Sequence, residues 1–443
     1  MSSNSLAQLS THSIGGGWGL ELPDEKHTER VAVIRGTDLP RLAHRDISSV
    51  PIRFETPSKV KSRLLQANDI VVEVSGGSAA SGQHTGRALL VTSEVLEKLG
   101  GRVIPASFCR LLRLDSRLVE PRYVTYQIQG MHLSGEIIEF ENQSTGIANF
   151  QFARFLEDVS PLVEDHGSQV SIASILSALD DRITVLRETN ATLEAIAQAL
   201  FKSWFVDFDP VRARQEGRAP EGLDEATATL FPDSFEESEL GLVPRGWQVG
   251  TLGDIAQTTK QQLRASDLHS DLHYVGLEHI PRKSLSLTGW SNAEGLESAK
   301  SAFSEDDILF GKLRPYFHKV VIAPFSGVCS TDVLVCQPKA RDFFGVAAMH
   351  LFSDTLIDYA DRLSNGAKMP RVSWKDLAAY PVCVPPEEIA ASFNAVALPL
   401  IASLKANTHQ AQTLATLRDT LLPRLISGQL RLPEAEAAVA AAV

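Results

Sequence analysis

Cysteine is scarce in this sequence, with four residues in 443, and no two have the spacing of a metal-binding pair. A zinc site or a disulfide framework is therefore not expected, and reduced thiols in a cytoplasmic protein are the simpler interpretation. Long apolar runs are also missing, which argues against a membrane span. The polar N-terminus lacks the basic and apolar segments of a secretory signal.

An excess of basic residues is missing too, because the formal net charge is −12. Proteins that bind nucleic acid usually show a basic surface, so the overall charge weakens that interpretation. It does not exclude it, since affinity depends on the local field around the binding residues.

Motifs that support catalysis are absent as well. The Gly-rich stretch SGGSAASGQHTG (75–86) lacks the lysine of a phosphate-binding loop, and GGGWG (15–19) follows a polar segment rather than a strand. The sequence contains no G-x-S-x-G and no H-E-x-x-H, and PDEK (23–26) has no second acidic residue placed to hold a cation. We therefore expect a chain with no active site, no metal and no cofactor of its own.

What the sequence does contain is a long heptad pattern. Residues at the seam positions of 172–204 follow one another at alternating steps of four and three, as in a helix that pairs with another helix. The same rhythm recurs in 393–425, which predicts a partner in the same chain. Asn190 and Asn407 are polar seam positions that either fix the register or interrupt the seam toward solvent. The seam residues predicted to pack are Leu179, Ile183, Leu186, Asn190, Leu193, Leu200, Leu400, Leu404, Leu414, Leu421 and Leu425.

Each long helix follows a globular stretch of similar size, and the two stretches correspond in sequence. VIRGTDLP (33–40) resembles YVGLEHIP (274–281), and ANDIVVEV (67–74) resembles EDDILFGK (305–312). This correspondence predicts a duplicated chain. Short β-rich runs, turns and short helices in both stretches predict a mixed α/β (α+β) fold for each.

The predicted organisation has six parts. They are a first globular domain (1–165), a first long helix (166–210), a linker rich in Gly, Pro and acidic residues (211–245), a second globular domain (246–386), a second long helix (387–431) and a disordered Ala-rich tail (432–443). Pro399 lies inside the second helix, so its regular part is expected to begin near that residue.

Four segments carry residue types that contact nucleic acid. FGKLRPYFHK (310–319) interleaves cations with an aromatic ring, NGAKMPRVSW (365–374) adds cations, its faint counterpart QSTGIANFQF (143–152) adds amides that suit adenine, and the loop 75–87 adds polar groups. For each residue alone, a solvated surface role is the more ordinary explanation. The candidate residues are Lys312, Arg314, Tyr316, Lys319, Lys368, Arg371, Gln83, His84, Arg87, Gln143 and Asn149.

Three aromatic residues, Trp204, Phe205 and Phe208, lie at the end of the first helix. Either these rings cap the helix pair or they form a docking surface for another protein.

Several long segments together resemble a known family. NATLEAIAQALFKSWFVDFDPVRARQEGRAPEGLDEATATLFPDSFEESELGLVPRGWQV (190–249) looks like the central conserved region of the specificity (S) subunits of type I restriction-modification systems. LRDTLLPRLISGQLRL (417–432) looks like their distal conserved region, and MPRVSWKDLAAYPVCVPP (369–386) resembles the end of a target recognition domain. The resemblance covers nearly the whole chain. The stretch 393–410 departs from it, because the usual Gln-rich start of the distal helix is missing.

The resemblance implies a function without catalysis in this chain. The two globular parts would be target recognition domains, each reading one half of a split, asymmetric DNA site, and the helices would pair antiparallel and hold the halves apart. A seam of 172–204 would be about 50 Å long at ~1.5 Å per residue. This length suits two readers a little over one DNA turn apart, ~34–36 Å.

The resemblance also implies partners and their cofactors. Two modification subunits, adenine methyltransferases that bind S-adenosylmethionine, would dock on the helices, with the aromatic end 204–208 as the best candidate surface. Two restriction subunits, motor-nucleases that use ATP and magnesium, would complete the complex. The alternative from another class is a coiled-coil scaffold whose α/β domains bind proteins.

Overall fold

The computed structural model describes residues 4–76, 84–144, 147–163, 165–366 and 369–442. It divides into two compact units, of which unit 1 contains residues 1–184 and 413–443 and unit 2 contains residues 185–412. Each unit therefore holds one globular domain together with a stretch of each long helix.

The helices alternate with strands along both globular domains, so the predicted mixed α/β class is confirmed. The α-helices are α1 (Leu6–Leu9), α2 (Leu39–Leu42), α3 (Pro57–Arg63), α4 (Ser93–Lys98), α5 (Pro121–Ser134), α6 (Phe152–Asp158), α7 (His166–Phe205), α8 (Asp209–Gln215), α9 (Glu225–Leu230), α10 (Leu252–Ile255), α11 (Phe344–Leu351), α12 (Asp354–Leu363), α13 (Trp374–Ala378), α14 (Glu387–Ile426) and α15 (Leu432–Ala442). Short 3-10 turns lie at Gly36–Asp38, Glu136–Phe140, Ala265–Asp267, Pro315–Phe317 and Arg341–Phe343.

The strands are short and form several sheets. In unit 1 they are β1 (Ser10–Gly15), β2 (Glu29–Ile34), β3 (Ile52–Glu55), β4 (Ile70–Glu73), β5 (Ala88–Leu90), β6 (Val103–Pro105), β7 (Cys109–Leu114), β8 (Glu141–Ser144) and β9 (Ile147–Phe150). In unit 2 they are β10 (Phe235–Ser238), β11 (Gly241–Pro244), β12 (Gln248–Thr251), β13 (Ala256–Thr258), β14 (Gln262–Leu263), β15 (His273–Val275), β16 (Ser291–Asn292), β17 (Lys300–Phe303), β18 (Ile308–Gly311), β19 (Val320–Ile322), β20 (Gly327–Cys329), β21 (Val333–Pro338) and β22 (Pro381–Val384).

The two globular domains repeat one topology. Unit 1 has a sheet of order β1-β7-β4-β5, and unit 2 has a sheet of order β13-β21-β18-β19. In a second sheet of each unit, β2 is parallel to β6 and antiparallel to β3, and β15 is parallel to β20 and antiparallel to β16. Strand β4 therefore corresponds to β18 and β2 to β15, which are the strands of the two matching sequence segments. The predicted internal repeat is confirmed.

A buried carboxylate before the central strand is part of this repeat. Asp69 accepts a hydrogen bond from the backbone N–H three residues earlier (2.7 Å), and Asp307 accepts the equivalent bond (2.7 Å). The neighbouring strand supplies a second donor in both copies, Arg113 Nε to Asp69 (2.7 Å) and Gln337 Nε2 to Asp307 (2.6 Å). Burial raises the pKa of Asp307. In both copies a buried aspartate thus fixes the turn into the central strand, with an arginine as its second donor in unit 1 and a glutamine in unit 2.

The two long helices pair within each unit. In unit 1, Asp180 of α7 accepts a hydrogen bond from Arg418 Nη1 of α14 at 2.5 Å and one from the Tyr126 hydroxyl at 2.6 Å. The predicted seam residues of this unit are all buried, namely Leu179, Ile183, Leu414, Leu421 and Leu425. An ion pair therefore crosses the pair of helices beside an apolar seam.

In unit 2 the helices run antiparallel. Asn407 Nδ2 donates to Asn190 Oδ1 (2.9 Å), and the ring of Phe393 lies 5.6 Å from that of Trp204. Residues later in α7 therefore contact residues earlier in α14. The two polar seam positions contact each other, and Asn190 also donates to the Leu404 carbonyl (3.1 Å). This supports the interpretation that they fix the register.

The seam in unit 2 drifts from the ideal heptad positions. Of the predicted seam residues there, Leu186, Asn190 and Leu404 are buried, whereas Leu193, Leu200 and Leu400 are only partly buried. Glu194 and Phe201 are buried instead. The globular domain packs on α7 from a second side, so α7 buries a face wider than a two-helix seam.

Helix α14 is continuous through Pro399, so the prediction that its regular part begins near that residue is wrong. Pro399 and Ala395, whose carbonyl loses its helical partner, are both exposed, and water can bind that carbonyl. By length and composition alone α14 could cross a membrane. Core helices meet the same criterion, and Phe393, Ala397 and Leu404 of α14 are buried within unit 2.

Two predictions about irregular segments need correction. Residues 211–245, expected to be a linker, contain most of α8, all of α9 and the hairpin of β10 and β11. Phe231 in this segment is 1% exposed and its ring packs edge-on against Trp204 at 5.2 Å, so isolated apolar residues among the acidic ones anchor it to the core. Residues 432–443, expected to be disordered, contain α15, because Ala and Glu have high helix propensity and Ala435 is buried.

Candidate nucleic-acid interface

The two segments predicted to contact nucleic acid in unit 2 lie side by side. Arg314 N–H donates to the Pro370 carbonyl (2.8 Å), and Val372 N–H donates to the Lys312 carbonyl (3.1 Å). On its other side this stretch is bound to the residue just before β21, since Lys312 N–H donates to the carbonyl of residue 332 (3.0 Å). We call residues 312–314, 332 and 370–372 the second edge.

The side chain of Arg371 is held in place on the second edge. Its Nε donates to Asp332 Oδ1 at 3.1 Å, and the side chain remains 47% exposed. The Arg371 backbone exchanges two hydrogen bonds with Asn365, at 2.9 and 3.0 Å. Arg371 therefore has a fixed backbone and a guanidinium group that is oriented yet accessible.

An aromatic platform with cations lies next to the second edge. The Arg282 guanidinium lies 3.9 Å from the ring centroid of Phe317, and that of Arg314 lies 5.9 Å from it. Tyr316 is 50% exposed and packs edge-on against Phe317 at 4.7 Å. Cations interleaved with aromatic rings suit a phosphate backbone and base faces.

The residue types and motifs of the sequence do not single out Arg282, although its position in the repeat marks it. It follows the segment YVGLEHIP of the second copy, just as Arg41 follows VIRGTDLP of the first. A basic residue therefore recurs at the same position of the repeat, one residue after the two similar segments end.

The segment that carries Arg282 is tied to α7 by a buried carboxylate. Glu194 Oε1 accepts hydrogen bonds from the Ser284 hydroxyl (2.9 Å), the Leu285 N–H (3.0 Å) and the Ser286 hydroxyl (2.8 Å). Burial raises the pKa of Glu194, although these donors act in the opposite direction.

Replacing Glu194 with glutamine is expected to flatten the pH dependence of stability. Because the pKa of Glu194 is raised in the folded state, protonation of this carboxyl stabilises the fold. This stabilisation is complete below the ordinary pKa of 4.5 and is lost as the pH rises through the pKa of the folded state. Glutamine keeps the acceptor oxygen and does not ionise. Thermal unfolding between about pH 4.5 and 8 should show the wild type losing Tm relative to Glu194→Gln. The exposed Glu297→Gln is the control, and a Tm difference independent of pH would contradict the interpretation.

Lys319, also predicted to bind DNA, faces inward instead. Its Nζ donates to the Leu277 carbonyl. Burial, followed by the nearby Arg282 guanidinium, lowers the pKa of Lys319. In this structure Lys319 binds the backbone of its own domain and adds little to an exposed contact surface.

Unit 1 has an equivalent edge, formed by the end of β4 and the hairpin of β8 and β9. Val74 N–H donates to the Phe108 carbonyl (2.8 Å), Phe150 N–H donates to the Val74 carbonyl (2.9 Å), and Gly76 N–H donates to the Ala148 carbonyl (3.4 Å). We call residues 74–76, 108 and 148–150 the first edge.

The first edge presents an amide and an apolar ring. Asn149 is exposed, and its Oδ1 accepts a hydrogen bond from the Ser75 hydroxyl at 3.1 Å. Phe108 is 65% exposed. The Arg110 guanidinium lies 4.9 Å from the ring centroid of Phe152 and belongs to the same groove. Neither Phe108 nor Arg110 was singled out from the sequence, because neither lies in a recognisable motif.

The remaining candidates of unit 1 are engaged internally or are not described. His84 Nδ1 lies 3.1 Å from the buried Glu141 Oε2, and Arg87 Nη2 forms an ion pair with the buried Glu73 at 2.7 Å. These contacts favour a structural role for both. Gln83, Lys368 and the side chain of Gln143 lie outside the described residues.

The prediction that Trp204, Phe205 and Phe208 form a docking surface needs correction. Their exposures are 3%, 4% and 9%, respectively. Their rings pack against Phe393 of α14 and Trp247, with Phe205 lying 5.0 Å from Phe393 and 5.9 Å from Trp247. Segment 208–247 folds back over the end of α7, so these rings form core and cannot receive a partner.

The fold and its two edges define a class of protein: a duplicated α/β chain with paired long helices and an edge on each domain that is held by equivalent backbone hydrogen bonds. No family model matches the sequence. The chain is 25% identical over 276 residues to the type I restriction enzyme MjaIX specificity subunit of Methanocaldococcus jannaschii, covering 60% of this chain and 59% of that one. It is 23% identical to the HindI specificity subunit of Haemophilus influenzae, covering 88% and 92%.

A third relative is the EcoDI specificity subunit of Escherichia coli, 28% identical and matched over 52% of each chain. The matches to the first and third relatives span less than two thirds of their length. The crystal structure of a type I restriction-modification S subunit from M. genitalium has the same fold, with a TM-score of 0.53, 16% identity and coverage of 96% of this chain and 95% of that one. The chain is thus related to the specificity subunits of type I restriction enzymes, as its motifs predicted.

Proposed function

We propose that this chain is the DNA-recognition subunit of a type I restriction-modification complex. Each edge reads one half of a bipartite, asymmetric DNA site, and partner subunits carry out adenine methylation and restriction. The observation that carries the proposal is the equivalence of the first and second edges. One accessible edge with the same backbone hydrogen bonds recurs in both copies, while the cores behind them are apolar.

Local charge supports DNA as the ligand in spite of the acidic chain. Arg282 and Arg314 lie near the ring of Phe317 beside Tyr316, and Lys312 and Arg371 belong to the adjoining second edge. Arg110 lies in the groove of the first edge. Phosphate contacts depend on such local clusters rather than on net charge. The protein-binding scaffold remains the alternative, and it is favoured if the assembled complex shows no sequence preference on DNA.

The partners follow from the same proposal. Two modification subunits and two restriction subunits bind this chain, supplying S-adenosylmethionine, ATP and magnesium chemistry, while this chain binds no cofactor. Since the aromatic end of α7 is core, we propose that the modification subunits bind other faces of the helices. The complex acts on DNA in the cytoplasm.

Replacing Arg282 with alanine is expected to weaken DNA binding without changing the recognised bases. A phosphate contact contributes a slope of about −0.9 per ion pair to the dependence of log K on log salt for duplex DNA. We expect the Arg282→Ala slope to be less negative by about that amount. Binding of the assembled complex to its site is measured at several salt concentrations. The control is Arg218→Ala, which removes an arginine paired with Glu216 in the segment before the second domain. An unchanged slope would exclude Arg282 from the interface.

The experiment that tests the proposed function is reconstitution. The purified chain alone should neither methylate nor cut DNA. Together with its modification subunit it should protect one bipartite sequence, and methylation by the isolated chain would refute the proposal.

A further inference from the structure

The two edges correspond residue by residue through their backbone hydrogen bonds. The carbonyls of residues 108 and 332 accept equivalent bonds, and Ser75 and Leu313 form equivalent bridges to Asn149 and Arg371. The equivalent pairs are Val74 and Lys312, Ser75 and Leu313, Phe108 and Asp332, Asn149 and Arg371, and Phe150 and Val372. Two of these positions, 108/332 and 149/371, therefore have side chains of different chemical type in the two copies.

On the second edge, the outward pair is an arginine held by a carboxylate. Arg371 binds Asp332 through Nε (3.1 Å) and Nη2 (3.5 Å). This side-on contact uses Nε and one N–H of Nη2, so a fork made of Nη1 and the second N–H of Nη2 can still bind another acceptor. Two parallel N–H donors match the O6 and N7 acceptors of guanine in the major groove. A lysine has no such fork, so the geometry is specific to arginine.

On the first edge, the outward pair is an amide beside an apolar ring. Ser75 binds one lone pair of Asn149 Oδ1 at 3.1 Å, and the carbonyl oxygen has a second lone pair. Such an amide can accept from N6 and donate to N7 of adenine. Phe108, 65% exposed, supplies the apolar contact that suits the thymine methyl group.

We infer that the two half-sites are read with different base preferences at the equivalent position. Arg371, positioned by Asp332, selects a guanine in the half-site of the second domain. Asn149, with Phe108 beside it, selects an adenine·thymine pair in the half-site of the first domain. The inference rests on the proposed function and adds the base type and the residues that set it.

The test uses the full chain assembled with its modification subunit and a library of DNA duplexes with randomised sites. The motif is read by sequencing the methylated duplexes. Arg371→Lys keeps the charge and removes the fork. It is expected to lower selection for guanine at one position of one half-site by about tenfold or more, with the other half-site unchanged. Asn149→Ala is expected to relax selection for adenine by a similar factor in the other half-site.

The positioning role of Asp332 has its own readout. Asp332→Ala is expected to relax the same guanine as Arg371→Lys, and Asp332→Asn, which keeps one acceptor, should restore part of the selection. A residue that only stabilised the fold would relax all positions of its half-site together. If Arg371→Lys leaves guanine selection intact, or if the relaxed base is not guanine, the base assignment is overturned. A wild-type complex with no bipartite motif would instead overturn the proposed function, and this inference with it.

Discussion

Replacing Phe393 with alanine is expected to destabilise unit 2 by about 3–5 kcal/mol, as for other buried phenylalanines. Phe393 is fully buried, with its ring 5.0 Å from Phe205, 5.6 Å from Trp204 and 6.2 Å from Phe201. Removing it leaves a cavity where α14 meets the aromatic end of α7. Such a loss is large beside a typical stability of about 5–15 kcal/mol. Urea denaturation of the full chain, followed by tryptophan fluorescence, measures it, since Trp204 reports on this cluster.

The control for this substitution lies on the same helix. Val396 is 43% exposed, and Val396→Ala should change stability by less than about 0.5 kcal/mol. If the aromatic end were a docking surface rather than core, Phe393→Ala would leave the denaturation midpoint unchanged and would weaken only partner binding. A shifted midpoint therefore decides between the two roles.

Adding one heptad to both long helices is expected to change the unread gap of the DNA site and to leave the recognised bases unchanged. The seven residues are inserted after Thr184 in α7 and after Gln412 in α14, where the two units meet along the chain. The contact between Asp180 and Arg418 in unit 1 is then preserved, as are the contacts within unit 2. A heptad keeps the seam in phase and adds about 10 Å of helix. At 3.4 Å per base pair the gap should grow by about three base pairs.

The matched control inserts the same heptad into α7 alone. The two helices then differ in length, their seams lose register, and a stable complex is not expected. A double insertion that alters the recognised bases while the gap stays fixed would contradict the role of the helices as a spacer.

The fold could be predicted from sequence where a periodic pattern imposes it. The heptad steps predict both long helices, because burial of a seam requires residues at fixed spacing. The sequence similarity of the segments that form β4 and β18 predicts the repeat, because both strands occupy the same position in their sheets. The packing of segment 208–247 over the end of α7 could not be predicted in this way. Phe231 is one of a few isolated apolar residues in an acidic segment, and nothing local shows that it anchors that segment over Trp204.

The candidate interface was predicted in part. Composition indicates segments 310–319 and 365–374, and the structure brings them together. The sequence does not show which residues of the two copies are equivalent. Alignment of the two segments by sequence matches Gln151 with Arg371, whereas the backbone hydrogen bonds match Asn149 with Arg371. Side chains on an exposed loop can vary while the hydrogen bonds that hold its backbone persist. The buried partners of His84 and Arg87 are Glu141 and Glu73, which lie 57 and 14 residues away, so a local sequence pattern does not show these contacts either.

The most direct test of the central claim is to map methylated adenines across a host genome with and without this chain, in the presence of its modification subunit. The account predicts one new motif that appears only with the chain: two different half-sites separated by a fixed, unread gap. Genomes with the same methylation pattern in both cases, or a new motif that is continuous rather than split, would contradict it.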